Sequence, residues 1–408
     1  MPNQLPHESR PLPEQANLRH LKDEAKALKR AGGAASLTAA QFQIAQQYGF
    51  ASWPKLKAHV ERLEAAQREI AQLKQAIDTN DLERMRAMMA RNPKLHRAPL
   101  GYGENGPLTW VAECRVPWEA PTATRLAMAQ WMIDNGSDVH QGGDGPLMRA
   151  ALVGMRIPMM ELLVQNGADV NTEWNGYYPI VLAPCETLEP DALKWLLDHG
   201  ANPNCAREGR KYPDSALDFV IGTYSRSANL ASCIDILLEA GCASRRNMPG
   251  VMDMLHGRMN LLAERLDADP SLIDGRFPEL DFGSTGYRRL KLGGSTLLHV
   301  AAEYGILDAA QLLVERGADV NAPADVDEAG VGGQTPIFHA ATQFFDYGLP
   351  VVEFLVKKGA DLSLRAKLPG HYERPEEVVE CTPLGYARLF PGKENGTVAF
   401  LIEAGAAE

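Results

Sequence analysis

Long apolar runs are missing from this sequence of 408 residues. No stretch approaches the roughly 20 residues that a bilayer-spanning helix needs. The polar, proline-rich opening from Met1 to Pro13 has no secretory h-region. Cysteine is sparse: Cys114, Cys185, Cys205, Cys233, Cys242 and Cys381 form no C-x-x-C pair and no framework spacing. That excludes a disulfide scaffold and fits a reducing, cytoplasmic setting. Also absent are a P-loop, a G-x-G-x-x-G opening a helix, an H-E-x-x-H pair and a G-x-S-x-G elbow. No cofactor and no metal site is therefore expected. Positive charge is in deficit, with 41 Lys+Arg against 52 Asp+Glu. Residues 1–68 carry a net +4 within the chain's −11, which leaves −15 on the remainder. An acidic body argues against general nucleic-acid binding.

What is present is a recurring phrase, a Leu-rich run that ends in Gly-Ala/Ser-Asp/Asn. It stands at Gly136-Ser137-Asp138, Gly167-Ala168-Asp169, Gly200-Ala201-Asn202, Gly317-Ala318-Asp319 and Gly359-Ala360-Asp361, with a worn copy at Gly241-Cys242-Ala243. The first two glycine intervals are 31 and 33 residues. A fixed period of that size means stacked units, none of which buries its apolar face alone.

A second phrase fills the other half of the period. Thr335-Pro336-Ile337-Phe338-His339-Ala340 and Thr382-Pro383-Leu384-Gly385-Tyr386-Ala387 are its clear copies, and Thr296-Leu297-Leu298-His299-Val300-Ala301 is a weaker one. Together the two phrases resemble the ankyrin repeat, from about residue 69 to 408. The resemblance implies an all-α solenoid of stacked helix-turn-helix units, and it gives His299 and His339 a structural role, joining repeats by hydrogen bonds. Thr335 is placed to cap a helix whose first turn holds Pro336. Gly317 and Gly359 stand where a helix ends in a left-handed residue. The pairs Leu162/Leu163, Leu196/Leu197 and Leu312/Leu313 supply the inner face of the second helices.

Later intervals lengthen to 41, 76, 42 and 46 residues. The 76 fits two units, the first ending in Asp269-Pro270, and the run from Ile77 to Leu95 matches it with Asn92-Pro93. Two sub-arrays, 69–245 and 246–408, and one continuous array with an eroded unit are both compatible with this spacing. Ahead of them, residues 1–68 read as a basic helical module. Its runs from Leu18 to Leu28, from Thr38 to Tyr48 and from Trp53 onward fit a cap on the first repeat. A DNA-reading helix-turn-helix over 18–63 is the alternative, weakened by Pro54 and Lys55 in the would-be reading helix.

The extra residues fall in finger loops rich in aromatics and charge. The first carries Trp174, Tyr177 and Tyr178, and the second Arg207, Arg210, Lys211 and Tyr212. The third carries Arg276, Phe282, Tyr287, Arg288 and Arg289, and the fourth His371, Tyr372, Glu373 and Arg374. Long loops inside a compact array are functional or disordered, and disordered ones avoid aromatics. Aromatic and arginine side chains are typical of binding hot spots. The expectation is a cytoplasmic protein-binding scaffold that holds another protein or peptide, an acidic one fitting the basic fingers, in a concave groove. The alternative is a small-ligand or catalytic protein using His371 and Glu373, with Asp346 nearby and Arg288 holding an anion. A monomer is expected, the loop from Phe390 to Gly396 covering the apolar final helix. A homodimer through that end is the other solution.

Overall fold

The computed structural model describes residues 10–13, 17–205, 215–244, 248, 250–280, 282–283, 287–390 and 395–408. They form two compact units. One comprises the described residues up to Val111 together with Arg115–Trp118 and Thr122–Ser137, and the other comprises Ala112–Cys114, Glu119–Pro121 and Asp138–Glu408.

The first unit opens with three helices, Leu18–Arg30, Leu37–Gln47 and Trp53–Asp78. Asn17 and Ser36 accept N-cap hydrogen bonds at the first two. Leu21, Ala25, Ile44, Leu56 and Val60 close a small core among them. The third helix then runs on to bury Leu73, Ala76 and Ile77. Along it the exposed cations Lys57 and Arg68 pair with Glu61 and Glu64. The would-be reading helix therefore presents mixed charge rather than a basic stripe.

Helix Leu82–Arg91 follows and ends at Asn92, whose side chain accepts from the Lys94 N–H and starts a 3-10 turn. Helix Met259–Ala268 in the second unit ends the same way, with Asp269 accepting from the Ser271 N–H. The two cap residues share nearly one backbone conformation, φ −131°, ψ 86° and φ −139°, ψ 86°. The likeness between Asn92-Pro93 and Asp269-Pro270 is thus a likeness of structure.

In the second unit the helices come in antiparallel pairs, such as Leu297–Glu303 with Leu307–Glu315 and Pro336–Ala340 with Leu349–Lys357. First helices pack on first helices and second on second through the series from Leu297 onward. Gly317 and Gly359 close their helices at φ +100° and +93°, with open space where a Cβ would be, so conformation alone selects glycine there. Polar links also run across residue 245, from Tyr304 Oη to the Ile221 carbonyl and from Arg226 to Glu303.

Two details differ from expectation. Thr335 occupies the N-cap position but its hydroxyl makes no capping bond, whereas Thr382 caps the Gly385 N–H at 3.2 Å. The leucine pairs do not act alike either. Leu163, Leu196 and Leu313 are fully buried, while Leu162, Leu197 and Leu312 are half-buried. One member of each pair faces the helix stack and the other its margin.

The repeats are also stitched by asparagines. Asn321 donates from Nδ2 to the Gly359 carbonyl at 3.0 Å and accepts from the Asp361 N–H at 2.8 Å. Asn171 does the same with Gly200 and Asn202, and Asn204 with Gly241 and Ala243. An exposed amide that satisfies one donor and one acceptor of the next turn fixes the spacing between units. Asn321→Ala is expected to cost about 1–2 kcal/mol for two hydrogen bonds, read by urea denaturation. A cost below a few tenths would show that water replaces them freely.

At the other end, Leu389 and Ile402 are exposed apolar side chains. The loop expected to cover the final helix includes 391–394, which lie outside the described residues.

Candidate functional site

The third and fourth fingers meet. An antiparallel bridge joins Arg288 to His371, and the Tyr372 N–H donates to the Tyr287 carbonyl at 2.8 Å. The fourth finger is itself a hairpin, Ala366–Pro369 paired with Val378–Cys381. Backbone pairing thereby stacks three rings, with Tyr287 5.2 Å from His371 and 5.9 Å from Tyr372 at interplanar angles of 17° and 12°.

Next to this stack lies the segment 344–346. Phe345 and Asp346 both adopt left-handed backbone, φ +54° and +55°, a conformation that costs a bulky residue about 1–2 kcal/mol. The Asp346 carboxylate holds it in place by accepting from the N–H groups of Gly396 and Thr397 and from the Thr397 hydroxyl, each at 2.9 Å. Burial alone would raise that carboxyl, but the bonds from Thr397 and Gly396 bring it below its ordinary value. The result is Phe344 edge-on to Tyr287 at 6.1 Å and Phe345 turned outward, 99% exposed.

The rings of Tyr287, Tyr372, Phe344 and Phe345 line a cleft of about 670 Å³, whose other wall is Tyr224 with Thr187 and the segment 225–227. Tyr287, Tyr372 and Tyr224 are each about half exposed. Tyr224 donates to Glu186 Oε1 at 2.7 Å, and Tyr178 of the first finger donates to Oε2 of the same carboxylate at 2.7 Å. The first finger therefore reaches the cleft by way of Glu186.

The expected binding residues divide accordingly. Tyr287 and Tyr372 line the cleft, with His371 stacked on both and Glu373 bonded by Tyr372. Trp174 and Tyr178 do not present a surface, because the hairpin Glu173–Trp174/Tyr178–Pro179 turns them inward and buries them, with Tyr177 half-buried beside them. Phe282 is buried as well. Arg207, Arg210, Lys211 and Tyr212 lie outside the described residues.

The largest correction is Arg288. Its side chain is fully buried, bonding Glu303 Oε2 at 2.6 Å and the Leu290 carbonyl at 3.0 Å, and so it holds no ligand anion. Arg226 bonds Glu303 Oε1 at 2.6 Å and lies over the Tyr304 ring. His339 Nδ1 donates to Glu303 Oε2 at 2.6 Å. Burial opposes the charge on Glu303, but Arg288, Arg226 and His339 outweigh it and hold the carboxyl at about 2. His299 accepts from the Thr296 N–H through Nδ1 and donates from Nε2 to the Gln334 carbonyl of the next repeat at 3.0 Å. Burial, above all, lowers it to about 3. Both histidines join neighbouring repeats, as the resemblance implied.

The catalytic alternative needed His371, Glu373, Asp346 and Arg288 to converge. His371 Nδ1 lies 3.8 Å from the Glu373 carboxylate and accepts from the Glu373 N–H at 3.2 Å, but Asp346 caps a helix and Arg288 is in the core. The sequence reasoning missed Tyr224, Phe344 and Phe345, and of the insertion that carries the two phenylalanines it gave a role only to Asp346. Two adjacent phenylalanines in an insertion between repeat helices were the available signal.

A family profile described as ankyrin repeats (3 copies) matches residues 121–207 and 280–366. The two matched segments are ankyrin repeats. The mouse (Mus musculus) ankyrin repeat domain-containing protein SOWAHD is 32% identical over 150 residues, covering 36% of this chain. The match spans 41% of that protein's length. Ankyrin repeats are in general protein-binding modules. The matched region 280–366 holds Tyr287, Phe344 and Phe345, so one wall of the cleft is built on repeats of this family. No described helix is long and apolar enough to cross a membrane.

Proposed function

We propose that this ankyrin-repeat protein is a scaffold that docks a partner protein or peptide in the aromatic cleft between the 224–227 segment and the third and fourth fingers. The observation that carries this reading is Phe345. A large apolar side chain held in water, on strained backbone clamped by Asp346 and with the Phe344 ring 6.1 Å away, is not accounted for by burial within the chain. Such a ring gains by leaving water against a partner, and the half-exposed tyrosines around it add aromatic area of the kind that dominates interface energetics.

The test compares the full chain with the double variant Phe345→Gly/Tyr372→Ala as baits in one lysate. Glycine accepts the left-handed backbone, so the melting temperature should stay within a few degrees. A specific partner retained by the natural sequence should fall by at least about ten-fold on the double variant, as expected when two hot-spot rings are lost. Equal retention would sink the reading. So would a collapse in stability, which would mean that the two rings pack the fold.

A further inference from the structure

The basic composition of the fingers pointed to an acidic partner, but none of the described finger arginines lines the cleft. Each of them has a partner inside the chain, and Arg288 is buried. Arg288 is engaged by Glu303, Arg374 by Glu377 at 2.8 Å, Arg289 by the Pro375 carbonyl and Arg276 by the Pro323 carbonyl. Arg226, the one cation that lines the cleft, gives its donors to Glu303 and to the carbonyls of Thr223, Ser225, Gly283 and Glu303. It has no N–H left for an anion.

What the cleft does offer is π-faces, and the hydroxyls of two of its tyrosines each donate to a carboxylate. The exposed Glu373 side chain accepts from Tyr372 Oη at 3.3 Å, and Glu186 accepts from Tyr224. The negative charge of Glu373 also lifts the Tyr372 phenol above its ordinary value. Electron-rich ring faces attract cations, and a guanidinium or ammonium within about 6 Å of a ring centroid gains from the ring quadrupole. The net charge of −15 beyond residue 68 works in the same direction at longer range.

We infer that the cleft recognises a cationic side chain, Arg or Lys, on a basic segment of the partner, with the rings of Tyr287, Tyr372, Tyr224 and Phe345 around it and Glu373 next to Tyr372. This rests on the docking reading above and specifies its chemistry. A flat guanidinium stacks on a tyrosine face while keeping its edge free for a carboxylate, and so arginine is the better fit.

The test uses the full chain and three fluorescein-labelled octapeptides on a Gly/Ser frame, with two central arginines, two glutamates or two leucines. The arginine peptide should bind at least about ten-fold more tightly than either other. Tetramethylammonium chloride should displace it more effectively than sodium chloride at equal ionic strength. Tyr287→Ala and Tyr372→Ala should each weaken it by about five-fold or more. Glu373→Gln should weaken it by about three-fold, with unchanged melting. Tighter binding of the glutamate or leucine peptide, sensitive to Tyr372→Ala, would overturn the cation inference and leave the docking cleft standing. No binding sensitive to Tyr372→Ala would also overturn it, while the bait comparison decides the docking reading separately.

Discussion

Glu303→Ala should be among the most damaging single changes in this protein, costing about 3–5 kcal/mol. The carboxylate is fully buried and is shared by Arg288, Arg226 and His339, each at 2.6 Å. Removing it strands two guanidinium groups without a counter-charge, and an uncompensated buried charge costs more than the pair contributed. Glu303→Gln keeps the shape and should lose less. The pH dependence gives the second readout. The folded carboxyl at about 2 lies below its ordinary 4.5, so its contribution is complete above 4.5 and is lost as pH falls toward 2. His299, lowered from 6.5 to about 3 in the fold, also favours the native state above 6.5 and loses that advantage on acidification. Both forms should therefore weaken below 6.5. The gap between the natural protein and Glu303→Gln should narrow only below about 4.5, because the variant lacks the carboxyl that titrates there. Urea denaturation at pH 7, 5 and 3 measures this, and a gap that stays constant would mean that Glu303 is not the group holding the arginines.

How far the sequence spoke for itself differs from residue to residue. The glycines at helix ends, the histidines at the fourth motif position and the Asx-Pro endings were readable, because each is a local signal tied to local backbone. The asparagine that follows the Gly-Ala-Asp turn was equally local, yet its role in stitching units appears only when two turns are set side by side. Arg288 and Glu303 could not be read at all. They are 15 residues apart, one in a finger and one in a helix, and nothing in either neighbourhood says that both are buried. A finger rich in arginine looks basic until its acceptors are known, and here those acceptors come from elsewhere in the fold. Trp174 and Tyr178 failed for a related reason: with a two-residue strand pairing, the Tyr178 ring packs on Phe219 and the Trp174 ring on Tyr178, and both are buried. The cleft depends on the Arg288–His371 bridge, a pairing across 83 positions that no periodicity encodes.

The stacked architecture makes its own prediction at Leu313. Leu313 lies fully buried in the Leu307–Glu315 helix, which packs on Met259–Ala268 on one side and Leu349–Lys357 on the other. Its carbonyl also accepts the Ala318 N–H that closes the helix at the glycine turn. Leu313→Ala should cost about 2–5 kcal/mol, since packed helices on both sides collapse poorly into the space left behind. Leu312→Ala, next to it but half-buried, should cost about 1 kcal/mol. In a repeat array the loss is felt first at nearest-neighbour interfaces. Hydrogen exchange on Leu313→Ala should therefore speed at amides of 307–318 and 349–357 before those of 145–165. If the distant helices open first or all open together, the unit is one cooperative core and the stack is not the element of stability. If Leu312→Ala proves as costly as Leu313→Ala, the two leucines share the interface after all, and the burial difference between them carries no energetic weight.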